Sequence, residues 1–377
     1  MKITLKRTPE QVELVKAMAS RNRNVAYEAQ VALAEFIGPV LAEVLNQAPT
    51  VSNLFQTLQF DADDNPSIPL DLYYNISDED YVQIWSQSHA GGLPSNQVLP
   101  TASELKLTTY SLDSAVDFDR RYAAKSRMDV VSKTFTRVAQ NILIKQETTS
   151  ATLLMSALAN ATTNGKQHVI KTVQDDRFIL ADLNELLTLA KRINTSWIGG
   201  TPTARTKGIT DLLCSPEVVE DLRAMAYNPI NTVEADGTAA GGQQGIAGPD
   251  DMRMDIYRSA GIPEFYGIGI MELNELGTSQ KFNTLFAANG GTYSDADGSD
   301  SEAFADATDQ IIVGVDRSRD SLIRAVATDA ESGSEFTLIA DDQYSIRQNK
   351  IGYFGSVDEG RVVLDNRVLV GKAIYAT

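Results

Sequence analysis

The stretch from Asp117 to about Asn160 is what most limits how this chain can fold. Val131, Phe135, Val138 and Ile142 recur at i, i+4, i+7 and i+11, a spacing that lines them along one stripe of a helix with 3.6 residues per turn. No Gly or Pro interrupts the first thirty residues, so the pattern predicts a rod of roughly 45 Å, long beside the usual helix of about 11–12 residues. The opposite face carries Arg120, Arg121, Lys125, Arg127, Lys133, Arg137 and Lys145. Either that face is solvated, as helix exteriors commonly are, or it meets acidic surface on a neighbour or a polyanion.

Charge weighs on that choice. The chain holds 50 acids against 33 bases, a net −17. That balance opposes a dedicated nucleic-acid reader, whose footprint is a basic domain, and favours solubility and mutual repulsion between copies. Residues 1–23 depart from it: six bases (Lys2, Lys6, Arg7, Lys16, Arg21, Arg23) against Glu10 and Glu13 leave +4 there and −21 for the rest. Such a segment can contact nucleic acid, pair with a sibling subunit or stay solvated. With 377 residues, 43% of them apolar, there is material for two packed cores or for one core with large excursions. Cys214 is the only cysteine and there are two histidines, which excludes an intramolecular disulfide and a Cys/His zinc site. The opening MKITLKRTPEQ lacks the apolar core of a secretory signal, and no run of eighteen apolar residues follows; a cytoplasmic site of synthesis is expected.

Thr8-Pro9-Glu10-Gln11 reads as a helix start, with Thr8 as N-cap, Pro9 at the first helical position and Gln11 closing a capping box. A second helical pattern runs from Leu33 to Leu45, with Gly38-Pro39 expected to kink or split it. This N-terminal arm has little surface to bury against itself and is expected to pack on something else. From Val51 to about Val116 alternation takes over, and 68–75, 81–86 and 104–112 read as strands of an extended hairpin. A two-stranded ribbon alone is marginal in water, so Trp85 within it is a candidate interface anchor, or else a cross-strand partner. Beyond the long helix, 181–193 predicts a helix and 208–229 a strand, a turn at Ser215-Pro216 and a helix. Residues 231–250, with five glycines, read as a loop, 253–276 as short strands, and 281–288 as a strand or short helix. An acidic loop over 290–304, a strand over 310–315 and a helix over 320–326 follow. The tail predicts strands near 335–340, 343–355 and 361–375, with a turn at 358–360.

Chemistry is sparse. No phosphate-binding loop of the G-x-x-x-x-G-K-[ST] type, no H-E-x-x-H and no G-x-S-x-G occurs. The glycines of 241–248 follow no predicted strand and precede no lysine. His89 and His168 read as solvent-facing loop residues without a carboxylate or nucleophile fixed nearby. Asp295, Asp297, Asp300 and Glu302 form the densest carboxylate cluster, but the sixth position of a calcium loop counted from Asp295 is Asp300 where Gly is required, so a solvated loop is the default. Cys214, among apolar neighbours, reads as a buried inert thiol. No cofactor is implied.

The order of parts resembles the major capsid proteins of tailed bacteriophages. LLCSPEVVEDLRAM (212–225) looks like the strand, "SP" turn and helix of their axial domain, IIVGVDRSRDSLIRA (311–325) like a late strand and its sequel, and 344–376 like the closing strands that return to the peripheral domain. The resemblance implies an α+β chain of Hong Kong 97-like fold, with an N-terminal arm (1–50), an extended loop (51–116), a peripheral domain with spine helix (117–200 and 335–377) and an axial domain (201–334). It also implies a non-enzymatic subunit that forms pentamers and hexamers of an icosahedral head around double-stranded DNA, located in the virion after assembly in host cytoplasm. Cement or decoration, portal and scaffolding proteins are the implied partners, and no membrane is. Under that resemblance Trp85, Arg120, Arg121 and Lys125 are candidate subunit contacts, and Gly241, Gly242, Gly245 and Gly248 lie in a candidate loop at the capsomer axis. An encapsulin-like compartment shell is the alternative, and a cytosolic α/β enzyme a lesser one.

Overall fold

The computed structural model describes residues 8–47, 51–61, 66–69, 104–125, 127–163, 165–193, 208–227, 264–265, 267–296, 298, 300–318, 321–328, 335–341 and 348–375. In chain order these form α1 (Pro9–Met18), α2 (Arg23–Gln47), β1 (Gln56–Asp61), β2 (Ser67–Pro69), β3 (Glu104–Lys106), β4 (Tyr110–Asp119), α3 (Arg120–Ala124) and α4 (Met128–Ala159). Then come β5 (Thr162–Thr163), β6 (Lys166–Gln167), β7 (Val169–Lys171), α5 (Leu180–Ile193), β8 (Asp211–Cys214), α6 (Pro216–Tyr227), β9 (Glu264–Phe265) and β10 (Ile268–Glu272). The last third holds α7 (Lys281–Ala288), β11 (Thr292–Ser294), β12 (Ser301–Ala303), β13 (Gln310–Val315), β14 (Leu322–Thr328), β15 (Thr337–Asp341), β16 (Lys350–Val363) and β17 (Leu369–Ile374). The chain is α+β and divides into two compact units, one of residues 1–68, 106–151 and 323–362, the other of 69–105, 152–322 and 363–377.

In the first unit a five-stranded sheet runs β1, β14, β16, β15, with β4 on the remaining flank of β16. Alternate residues of β4 and β16 face one way, and Phe118, Ile351, Tyr353 and Val357 from that face join Val131, Phe135, Val138 and Ile142 of α4 in one core. The predicted stripe is therefore buried as the spacing required. Phe135 meets Tyr353 edge-on with ring centroids 5.2 Å apart. Val15, Met18, Leu33, Ile37 and Leu41 complete this core, so what α1 and α2 pack on is α4 and the sheet of their own unit. Thr8 caps α1 by accepting from Gln11 N–H at 3.4 Å, while Gln11 Oε1 finds no partner, so only half of the capping box forms. Pro39 lies inside an unbroken α2.

The long helix begins later than its charge pattern suggested. Residues 110–119 are a ten-residue strand whose every position pairs with β16. Asp119 then accepts Arg121 N–H at 2.9 Å to start the short α3, and α4 runs 32 residues from Met128. Within it Thr148, Thr149 and Ser150 each donate the hydroxyl to the carbonyl four residues back, at 2.6–3.0 Å, which satisfies these groups without breaking the helix. Residues 104–112 are likewise not one strand: β3 ends at Lys106 and β4 begins at Tyr110.

In the second unit eight strands run β12, β11, β7, β17, β13, β8, β10, β9. Against Ile170, Leu212, Ile312 and Val370 pack Leu183, Leu186 and Ile193 of α5 and Val218, Val219 and Leu222 of α6. The strand, Ser-Pro turn and helix over 211–227 and the helix over 180–193 are as predicted, and 281–288 resolves as a helix. The acidic loop over 290–304 is instead a hairpin, in which Thr292 to Ser294 pair with Ala303 to Ser301.

Two further expectations are overturned. Residues 322–328 are a strand rather than a helix, parallel to β1 and almost wholly buried; the charges of Asp320 and Arg324 imitated an amphipathic helix. No turn occurs at 358–360, because β16 continues through it to Val363. Asp358 and Glu359 pair there with Ser111 and Tyr110.

Candidate assembly surface

Two kinds of feature bear on function: a buried ionic knot and the cationic residues outside it. Glu359 is fully buried in the first unit. Tyr110 Oη donates to its Oε1 at 2.9 Å, and Gln146 Nε2, Arg324 Nε and Arg361 donate to Oε2 at 3.0, 3.0 and 3.1 Å. Burial opposes ionisation, but the two guanidiniums and their hydrogen bonds outweigh it and hold the carboxyl below its ordinary value. The same burial, with Glu359 beside it, pushes the Tyr110 phenol up to about 12. One carboxylate thus joins β4, α4, β14 and β16. Its partner Tyr110 lies three residues beyond Leu107, whose N–H donates to Pro66 C=O at 3.0 Å beside the paired strands β2 and β3.

In the second unit Lys372, fully buried, meets Asp182 at 3.3 Å and Glu185 at 2.6 Å. Asp182 also accepts Val173 and Ile179 N–H groups at 2.8 and 2.9 Å. His168 corrects the expectation of a solvent-facing loop residue, for it is buried. Its Nδ1 faces the carbonyls of Leu369 and Asn366 at 2.9 and 3.2 Å. Only an N–H can meet two carbonyls, so Nδ1 carries the proton and Nε2 accepts from Thr163 Oγ1 at 2.8 Å. Burial lowers its pKa. The spacing of a lone His gave no sign of this pocket. Cys214 is buried, and burial raises its thiol far above reach of ionisation.

Arg121, Lys125, Arg127, Lys133, Arg137 and Lys145 are exposed and Arg120 is half-buried. Arg121 is occupied by Asp119, bonded through Nε and a terminal nitrogen at 3.0 and 2.8 Å. Lys171 rather than solvent neutralises the acidic hairpin, pairing with Asp295. Trp85, His89 and the glycines Gly241, Gly242, Gly245 and Gly248 lie outside the described residues. Among the described residues no group of three or more His, Cys, Asp or Glu could hold a metal ion, and no helix is long and apolar enough to cross a membrane.

No family model and no curated protein matches this chain. Solved structures do. The capsid of a native GTA particle is similar over 87% of this chain and 90% of its own, at 10% identity and a TM-score of 0.48. The capsid of cyanophage P-SCSP1u is similar over 88% of each chain, at 15% identity and 0.45. The holo-SrpI encapsulin complex of Synechococcus elongatus is similar over 86% of each, at 14% identity and 0.41.

Proposed function

We propose that this chain is the major capsid protein of a tailed-phage type of head, a Hong Kong 97-like subunit without enzymatic activity that assembles into pentamers and hexamers around double-stranded DNA. The observation that carries the reading is the root of the hairpin. The chain leaves at Pro69 and returns at Glu104 through paired strands, and the intervening sequence includes Tyr73, Tyr74, Ile76, Tyr81, Val82, Ile84 and Trp85. Were that sequence an extended ribbon, as its alternation leads one to expect, it would be marginal in water unless it lay on a partner, and repeated heterologous contact of identical chains closes rings and shells. The net −17 suits a container that does not adhere to its contents. Portal, scaffolding and cement proteins are the partners such a head takes, and the virion is its location.

Expression of the full chain followed by negative-stain microscopy tests this. Closed shells or capsomers are expected. Protein that stays monomeric at every concentration and salt tried overturns the reading, and shells that enclose a protein cargo instead of DNA move it to an encapsulin-like compartment.

A further inference from the structure

The core of the second unit holds a lysine among aliphatic side chains. Alternate residues of β17 face one way, and Val370 and Ile374, on either side of Lys372, belong to the core that α5 covers. The residues opposite Lys372 on the adjoining strands, Ile312 and Ile170, belong to the same core. The side chains of Lys372 and Asp182 are both 0% exposed, so bulk water does not stand between ammonium and carboxyl.

Two carboxyls meet this one cation, and they are not equivalent. Glu185 Oε2 lies 2.6 Å from Nζ and Asp182 Oδ1 3.3 Å; three residues apart on α5, both reach β17. Glu185 keeps 36% of its side chain exposed and so exchanges protons with solvent. Asp182 is held from both oxygens: Val173 N–H donates to Oδ1 at 2.8 Å and Ile179 N–H to Oδ2 at 2.9 Å. Such fixed donors polarise the carboxyl carbon and stabilise the negative charge that an attacked carbonyl develops. Burial raises the Asp182 pKa above its ordinary value, which favours the neutral acid, the form that condenses with an amine. A single acid suffices to neutralise a buried lysine; a second, in touch with water, supplies what an acylation needs in addition, a proton carrier. The three side chains are already in contact, which removes the entropic cost of bringing amine and acid together.

We propose that the folded chain joins Lys372 to Asp182 by an amide bond between Nζ and Cγ, with Glu185 carrying the protons. Glu185 takes one proton from the ammonium. The freed amine pair attacks Cγ of the neutral Asp182 carboxyl, and the Nζ–Cγ bond forms. The bond from Cγ to the hydroxyl breaks, and the hydroxyl leaves as water with a second proton passed from Nζ through Glu185. Glu185 then returns its first proton to solvent. Nothing is oxidised or reduced, and water is the only product besides the amide. The bond lies within one chain, so it does not rest on the shell reading, and each chain reacts once.

The test is intact-mass spectrometry of the full chain, purified, held at neutral pH and then denatured, with tandem spectra of its proteolytic fragments. The expected mass is one water below that of the sequence, and the expected fragment is a branched pair joining the peptides of residues 182 and 372. A chain at full mass overturns the proposal. So does a loss of water without that branched pair, which marks a cyclic imide at an aspartate instead. Lys372→Arg, which keeps the cation but offers no amine, is expected at full mass, and the same deficit there overturns the proposal as well. Glu185→Gln keeps the shape of the carboxyl and is expected to lower the linked fraction at least tenfold; linkage at the wild-type level overturns the role of Glu185. The wild-type measurement stands whether or not either variant folds.

Discussion

Glu359 and His168 carry opposite signs of the same effect. A carboxyl held below its ordinary value contributes stability above its unfolded pKa of about 4.3 and loses it as pH falls through the folded value. Glu359 therefore stabilises the first unit throughout neutral pH and fails only in strong acid. Changing it to Gln preserves shape but leaves Arg324 and Arg361 buried without their shared anion. Unpairing a buried charge costs roughly 3–5 kcal/mol, so Glu359→Gln is expected to lower the urea midpoint of the full chain markedly at pH 7. His168 has its pKa lowered by burial, and the unfolded chain, at about 6.5, then takes up the proton first. Stability is expected to fall as pH drops below about 6.5, well before Glu359 titrates. Thermal unfolding at pH 7 and 5.5 checks this: His168→Gln should flatten the difference, and an unchanged slope would assign it elsewhere.

At the scale of elements, Gly360 explains why β16 runs where a turn was predicted. A Cβ at this position would sit 2.7 Å from the Thr108 carbonyl oxygen, and backbone cannot yield as a side-chain tip can. Gly360→Ala is expected to cost roughly 1–3 kcal/mol by overpacking, read as a lower urea midpoint without loss of soluble expression. Asp-Glu-Gly is turn chemistry by composition, and nothing local distinguishes a glycine for close approach from a glycine for a bend. The same holds elsewhere. The stripe on α4, the cap at Thr8 and the Ser215-Pro216 break were legible because each is set by neighbours a few residues away. The strand character of 110–119 and 322–328 was not, because it comes from pairing with β16 and β1, far along the chain. Of the candidate surface residues, Lys125 is exposed although it lies between α3 and α4 and not on the long helix that its spacing suggested, Arg121 is captured by Asp119 two residues away, and the burial of His168 is a tertiary fact.

For the whole molecule the question is what the cationic residues between β4 and α4 meet. The chain outside residues 1–23 carries −21, so any copy that approaches presents acid. Arg121 already has Asp119, which leaves Arg120 and Lys125 as the better probes of contact between copies. Both lie at the surface, Lys125 exposed and Arg120 half-buried, so reversing them to Glu together should leave the monomer's melting temperature within a degree or so of wild type, as surface changes usually do. If they pair with acids of a neighbour, each broken contact is worth roughly 2–5 kcal/mol when desolvated, and the protein concentration needed for particles should rise more than tenfold. Light scattering against concentration at two salt levels separates the cases. A contact that is merely solvated shifts neither curve, whereas a buried intersubunit pair shifts assembly at both, because salt screens exposed charges far more than buried ones.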